Sequence, residues 1–147
     1  MKYSEAKRGR TFVIRLEDGD ILHDAVESFA ASNGIKAAFL QAVGGVKAGS
    51  ILIVGPEKGD EMPPKPVPLT LDETYEITGT GTLFPDDEGA PILHMHVACG
   101  RGGKTITGCV RNGVIVWHVM EIILTELEDS GAQRLTDPET GFKLLVP

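Results

Sequence analysis

The chain has 147 residues, of which 41% are hydrophobic, and a formal net charge of −7. We expect one domain over residues 1–147, with its core at about 7–146. We also expect a cytoplasmic protein, because no apolar run is long enough to cross a membrane and the first residues do not have the pattern of a signal peptide. The negative charge disfavours DNA as a partner, because DNA binding would require a local basic patch.

The first part of the chain predicts a strand followed by a helix. Residues 11–16 are β-branched and apolar, and the turn-forming residues 17–19 end this strand. Asp20 is suited to N-cap a helix whose apolar residues recur at helical spacing over 21–30. Asn33-Gly34 then supplies a stop signal, so this segment predicts the principal helix of the protein.

The middle of the chain predicts two further strands and a loop. Residues 35–43 and 50–54 are apolar, and Gly44-Gly45 between them predicts a bend or a bulge. Residues 55–68 hold five of the nine prolines, mixed with charges. We expect this Pro-rich segment to be a surface loop without regular structure.

The rest of the chain is dominated by strand patterns. These segments are residues 69–83, 92–99, 104–110, 114–124 and 142–146. One principal helix packed against such strands predicts a two-layer α+β fold with a mainly antiparallel sheet. The sequence lacks the alternation of strands and helices that would indicate a parallel sheet.

Two histidines are predicted to share one face of a strand. Side chains alternate along a strand, so His94 and His96 point to one side of segment 92–99, while Met95 and Cys99 point to the core. Gly102-Gly103 is suited to a two-residue type I′ turn, and this register places Cys109 opposite His96 and Arg111 opposite His94. Cys99 and Cys109 then lie on opposite faces, which excludes a disulfide between them.

His94, His96 and Cys109 can therefore converge. Two imidazoles and a thiolate with a vacant fourth position match an open Zn²⁺ site, although imidazole also suits nickel, copper or iron. The alternative is two solvent-facing histidines beside a small buried thiol. Arg111 disfavours a bound metal unless an anion or a carboxylate is also present.

For other titratable residues, the sequence gives weaker indications of a functional role. His118, in an apolar strand, is more typical of a hydrogen-bonded core or interface residue than of a ligand. Glu121 is either an edge charge or a partner that orients an imidazole, and His23 is predicted to lie on the helix surface. Arg8-Gly9-Arg10 is similar to part of an AT-hook but lacks its proline, and no residue stands out as a general base.

The chain resembles the PPC (plants and prokaryotes conserved) domain over about residues 7–146. The resemblance is carried, in order, by FVIRLEDGDILHDAVESFAASNGI, LQAVGGVKAGSI, LHMHV and TGCVRNGVIVWHVMEIIL. It implies a compact α+β fold and a homotrimer. Stand-alone prokaryotic members are usually called predicted DNA-binding proteins, a name inherited from plant proteins in which AT-hooks precede the domain.

The resemblance also implies a metal site. Prokaryotic members commonly have a His-x-His strand and, after a hairpin, a Gly-Gly-His segment, and these three histidines are placed to bind a metal. His94 and His96 match the first motif. In the second motif, Thr107 replaces the first glycine and Cys109 replaces the histidine. Since thiolate is also a zinc ligand, a divalent transition metal, preferably Zn²⁺, is the implied cofactor.

Three hypotheses about function follow. The first is a homotrimeric PPC-like protein that binds a metal through His94, His96 and Cys109, with its biochemical role and any small-molecule ligand undetermined. The second is a DNA-binding protein with a preference for AT-rich duplex. The third is a trimeric scaffold for protein–protein interaction, in which the sheet mainly builds the trimer.

Overall fold

The computed structural model describes residues 1–111 and 113–147, which form ten strands and one helix. Along the chain these are β1 (Lys7–Glu17), α1 (Leu22–Ser32), β2 (Ala38–Val46), β3 (Ile51–Pro56), β4 (Pro66–Thr70), β5 (Tyr75–Pro85), β6 (Pro91–Arg101), β7 (Lys104–Val110), β8 (Val116–Glu128), β9 (Gln133–Thr136) and β10 (Lys143–Val146). In this described part of the chain, no helix is long and apolar enough to span a bilayer.

Eight of the strands form one antiparallel sheet in the order β1-β8-β2-β5-β6-β7-β3-β4. The buried face of α1, with Leu22 and Val26, belongs to the same hydrophobic core as strand residues such as Leu40 and Met95. We call this side of the sheet the inner face and the opposite side the outer face. The predicted two-layer α+β fold, with one helix and a mainly antiparallel sheet, is confirmed.

The helix ends where the sequence predicts but is not capped as predicted. Asn33 donates its backbone N–H to the carbonyl of Phe29 at 3.1 Å, and Gly34 follows with a φ of +66° that favours glycine. At the other end, the N-cap position is Ile21 and no side chain caps it. The carboxylate of Asp20 instead accepts the backbone N–H of Glu17 at 2.8 Å and so stabilises the preceding turn.

The Pro-rich segment at 55–68 is only partly a loop, which corrects the prediction. Its two ends belong to strands β3 and β4, leaving residues 57–65 between them. β4 is the edge strand of the sheet, where a proline without an N–H is tolerated because that side needs no ladder partner. The segment at 69–83 is also divided, since residues 71–74 form the connection between β4 and β5.

The bulge predicted at Gly44-Gly45 is present, and its extra residues lie in the facing strand. Gly44 pairs with Met120 and Gly45 with Trp117, so His118 and Val119 have no opposite residue in β2. A Cβ on Gly44 would lie 2.5 Å from the carbonyl oxygen of Val119. Glycine is therefore required here by close backbone approach.

The chain after the sheet forms a two-stranded ribbon of β9 and β10. The strand predicted at 142–146 is thus confirmed as β10, but its partner β9 was not predicted. The ribbon is anchored by Ala132, which packs with Ala37 and Phe84, and by a 2.6 Å ion pair between Lys143 and the buried Asp86. These contacts place the ribbon beside the outer face at β5.

Candidate metal centre

Strand β6 has two chemically different faces. Leu93, Met95, Val97 and Cys99 are buried on the inner face, whereas His94 and His96 are exposed on the outer face. Met95 and Val97 have space because the facing strand carries Gly79 and Gly81, where an added Cβ would meet them at 2.6–2.8 Å. The predicted alternation of the two histidines and the core residues is confirmed.

The hairpin that follows β6 has the predicted register. Gly102 and Gly103 adopt φ values of +56° and +77°, as a type I′ turn requires. Arg101 pairs with Lys104, and the ladder continues to His96 opposite Cys109. The described ladder ends with the next pair, Met95 and Val110.

His94, His96 and Cys109 form one group of potential metal ligands. One donor atom from each residue lies within 4.8 Å of the other two, and this is the one such group of three or more among residues 1–111 and 113–147. The imidazole rings are 5.1 Å apart between centroids and nearly perpendicular, at 87°. Ligands at about 2.0–2.3 Å from a tetrahedral Zn²⁺ are roughly 3.5 Å apart, so donor atoms that already lie within 4.8 Å of one another are near the spacing that one ion requires.

The environment of His94 favours its neutral form. Partial burial of the ring lowers its pKa, and the positive charges of Arg134, His96 and Arg111 lower it further. A neutral imidazole is the form that ligates a metal. His94 is therefore prepared for coordination without first losing a proton near neutral pH.

Two of the three potential ligands, His96 and Cys109, lie within one continuous cross-strand row on the outer face. From β1 to β4 the members of this row are Val13, Ile123, Gln41, Thr80, His96, Cys109, Ile53 and Pro68. The adjacent row brings Phe39 and Thr82 next to His94. The candidate centre thus occupies the part of the outer face formed by β5, β6 and β7.

Arg134 is a residue of this centre that the sequence does not reveal. It projects from β9, is only 4% exposed, and donates a hydrogen bond from its guanidinium to Oγ1 of Thr82 at 2.8 Å. Thr82 is the cross-strand partner of His94. The ring of Phe84 lies 5.8 Å from the guanidinium carbon. Residues 133–136 read QRLT, which gives no sign that the ribbon returns to the histidine face.

Arg111 also lies near the ligand group. Its side chain is exposed, and its guanidinium carbon is 5.9 Å from the ring of Phe142 in the ribbon segment. Its charge is one of the causes that lower the pKa of His94. The cationic neighbour expected from the hairpin register is therefore present, although no ladder pair joins it to His94.

The other histidines and Glu121 lie outside the ligand group. His118 adopts a positive φ of 58° in the bulge, is exposed, and donates its backbone N–H to Asp18 at 2.8 Å. His23 is not the surface residue that was predicted: its side chain is 16% exposed and its Nε2 lies 2.9 Å from Asp24. Glu121 is on the outer face opposite Arg15, away from the imidazoles.

Two basic residues near the amino terminus form ion pairs with acidic residues in β8 or directly after it. Arg10 forms an ion pair with Glu126 at 2.7 Å, and Lys7 forms one with Asp129 at 2.7 Å. The Arg8-Gly9-Arg10 segment is part of β1 and pairs with β8. Two of these positive charges, on Lys7 and Arg10, are thereby compensated by carboxylates.

Comparison with known proteins defines the class of protein to which this fold and site belong. The Plants and Prokaryotes Conserved (PCC) domain matches residues 3–128. The chain therefore belongs to the plants and prokaryotes conserved domain family, as its sequence motifs imply.

Two solved structures have the same fold along the whole chain. The metal-containing protein from Archaeoglobus fulgidus is 27% identical with a TM-score of 0.85, and the match covers 100% of both chains. A plant- and prokaryote-conserved protein from Pyrococcus horikoshii is 25% identical with a TM-score of 0.81, covering 100% of this chain and 98% of that one.

Among curated proteins, this chain is similar to the bifunctional protein GlmU of two Synechococcus strains. The identities are 28% over 134 residues and 27% over 135 residues, each covering 90% of this chain. The chain spans only about a fifth of the length of these relatives, 19% and 20%. The similarity therefore concerns one portion of those proteins.

Proposed function

We propose that this protein is a homotrimeric metal-binding protein that holds a divalent transition metal, preferentially Zn²⁺, on His94, His96 and Cys109. The observation that carries the proposal is the convergence of their donor atoms within 4.8 Å on one face of a β-hairpin. The metal-containing protein from Archaeoglobus fulgidus, which shares the whole fold, supports it.

The chemistry of the donors favours zinc. Two imidazole nitrogens and one thiolate are ligands that Zn²⁺ binds readily, and three protein ligands leave a fourth position for water or another molecule. Thiolate disfavours the hard cations Mg²⁺ and Ca²⁺, which prefer oxygen. When bound, Zn²⁺ would act as a Lewis acid and would lower the pKa of a water molecule bound to it.

Metal analysis of the purified protein tests this proposal. We expect about one equivalent of metal per chain in the wild type after dialysis against trace Zn²⁺, and almost none in a His94→Ala/His96→Ala variant. The matched control is His118→Asn, because His118 is an exposed histidine outside the group and asparagine tolerates its positive φ. Equal metal content in the wild type and the double variant would overturn the proposal.

The outer face supports the trimer. Val13, Val43, Ile123 and Phe39 are 82%, 50%, 43% and 41% exposed, respectively. All four lie on neighbouring strands of this face, β1, β2 and β8. Contiguous exposed apolar side chains of this kind are typical of protein interfaces, and a second and third copy would cover them.

Light scattering coupled to gel filtration measures the assembly. We expect a mass three times the 15.7 kDa of one chain, and a shift towards the monomer in a Val13→Glu/Ile123→Lys variant. A charge-preserving control, Glu121→Asp on the same face, leaves the mass unchanged. A wild-type protein that elutes with the mass of one chain would contradict the trimer.

A further inference from the structure

The buried guanidinium of Arg134 lacks the partners that a buried charge needs. Its side chain is 4% exposed, and its Nε is buried without a hydrogen-bond partner in the described structure. One terminal nitrogen is hydrogen-bonded to the neutral hydroxyl of Thr82. An unpaired buried charge is costly, so the position calls for an anion from outside the described residues of this chain.

No acidic side chain fills this role in the described part of the chain. Among residues 1–111 and 113–147, no carboxylate oxygen lies within 4.0 Å of the guanidinium nitrogens of Arg134 or Arg111. Burial lowers the pKa of Arg134, Cys109 opposes this effect, and Arg111 adds to it. The second arginine therefore increases the positive potential around the first instead of relieving it.

Both arginines lie near aromatic rings beside the histidine face. Arg134 lies over Phe84 and Arg111 lies over Phe142. The two guanidinium–ring distances, 5.8 Å and 5.9 Å, are within the range of a cation–π contact, and the planar fork of a guanidinium matches the oxygens of a carboxylate or a phosphate. The hydrogen bond of Arg134 to Thr82 directs it towards the strand position opposite His94.

The charge balance of the loaded centre leads to the same conclusion. Zn²⁺ with one thiolate and two neutral imidazoles carries a net charge of about +1. Arg111 and Arg134 bring the local charge to about +3, with no acid among their described ion-pair partners. An anionic ligand at the vacant metal position would compensate much of this charge.

We infer that the centre binds a small oxyanion, a carboxylate or a phosphate group, between the metal and the guanidinium groups of Arg134 and Arg111. This inference rests on the proposed metal-binding function and names the class of ligand that would take the fourth position. Arg134 and Arg111 are assigned to ligand binding, not to metal coordination.

Titration of the metal-loaded full-length protein with two probes tests the inference. Inorganic phosphate and acetate are titrated at constant ionic strength in chloride, with heat measured for the Zn²⁺ form and visible absorption for the Co²⁺ form. We expect saturable heat and a changed Co²⁺ spectrum with at least one probe. Binding of phosphate alone indicates a phosphate-bearing ligand, and binding of acetate alone indicates a carboxylate-bearing one.

Three arginine variants identify the residues responsible. Loss of one guanidinium fork is expected to weaken anion binding about tenfold or more in Arg111→Gln and in Arg134→Lys, with metal content unchanged. Arg101→Gln is the matched control, because Arg101 is an exposed arginine at the opposite end of β6 from His94. Its anion binding is expected to equal that of the wild type. Arg111 is exposed, so its variant remains informative if replacing the buried Arg134 prevents folding.

The outcomes separate this inference from the proposed function. A wild type that holds metal but binds neither probe, or an Arg111→Gln variant that binds as tightly as the wild type, would overturn the oxyanion inference and leave the metal site standing. A wild type that holds no metal would overturn the metal-binding function. Phosphate or acetate binding to that metal-free protein, weakened by Arg111→Gln, would still support the oxyanion site, and its absence would overturn it.

Discussion

The two faces of strand β6 differ in function: the inner face contributes to the hydrophobic core, and the outer face holds the potential metal ligands. On the inner face, Met95 and Val97 are about 1% exposed and pack into the core beneath the helix. On the outer face, His94 and His96 are exposed and lie beside Cys109. Core residues and potential metal ligands therefore alternate along β6, because successive side chains in a strand point to opposite faces of the sheet.

The two cysteines show the same contrast for one functional group. Both thiols are buried, with exposures of 0% for Cys99 and 8% for Cys109. Cys99 is surrounded by apolar side chains, and burial raises its pKa to about 11. Cys109 faces two imidazoles and the charge of Arg134. The neighbours of a thiol, more than its burial, therefore distinguish a structural cysteine from a candidate ligand.

The largest expected effect is a difference in stability between substitutions at two adjacent residues of β6, Met95 and His96. Met95→Ala is expected to lower the free energy of unfolding by about 2–5 kcal/mol, because it removes buried methylene groups and leaves a cavity. His96→Ala is expected to change it by only about 0.5 kcal/mol in metal-free protein, because an exposed side chain is removed. Urea unfolding of metal-free protein measures both values. Similar losses for the two variants would break the distinction between the faces.

Alkylation of the cysteines is expected to sharpen the contrast. With iodoacetamide at pH 8, Cys99 remains unmodified while the protein is folded, because its pKa of about 11 and its burial suppress the reactive thiolate. Cys109 is expected to react in metal-free protein and to be protected when Zn²⁺ is bound. Mass spectrometry of peptides, with Cys99→Ser as the control for site assignment, measures the two rates. Equal labelling of Cys109 with and without Zn²⁺ would contradict its role as a ligand.

A smaller effect is expected from pH on the outer face. The folded-state pKa of His94 is lowered below 6.5, the ordinary value for an imidazole. The folded protein therefore binds fewer protons than the unfolded chain in this range. The contribution of His94 to the free energy of unfolding is therefore fully present above pH 6.5, and it is lost as the pH falls from 6.5 through the folded-state pKa. It follows that metal-free protein becomes less stable on mild acidification.

Substitution of Arg134 identifies one cause of this shift. Burial has the largest influence on the pKa of His94, so Arg134→Gln is expected to raise this pKa only part of the way back towards its ordinary value. Titration of the imidazole carbon-bound protons by NMR measures the change in metal-free protein. Arg101→Gln, which removes the same charge at the other end of β6, is expected to leave it unaltered. An unchanged pKa in Arg134→Gln would show that its charge does not reach the ring.

Much of the candidate centre could be predicted because it depends on local rules. Alternation along β6 places His94 and His96 together, and the glycine pair at 102–103 sets a two-residue turn. These two features suffice to bring Cys109 opposite His96. Only a short length of chain separates the two paired strands, so no distant part of the fold is needed to define their register.

Other features were decided by contacts between distant parts of the chain. Asp20 carries a typical capping side chain, but it lies in a turn where its carboxylate accepts the N–H of Glu17 and its backbone carbonyl accepts the N–H of the distant Val116 at 2.9 Å. The prolines of β4 are accommodated because that strand lies at the sheet edge, which no local pattern reveals. Such outcomes depend on which hydrogen bonds the assembled sheet leaves open.

The sequence by itself therefore determined the fold class, the hairpin and the three potential ligands. Only the tertiary structure placed Arg134 beside them, because the ribbon of β9 and β10 returns to the outer face through packing against Phe84 and the Lys143–Asp86 ion pair. Periodicity and turn chemistry act within a few residues, whereas burial of a charged side chain is set by every element that surrounds it.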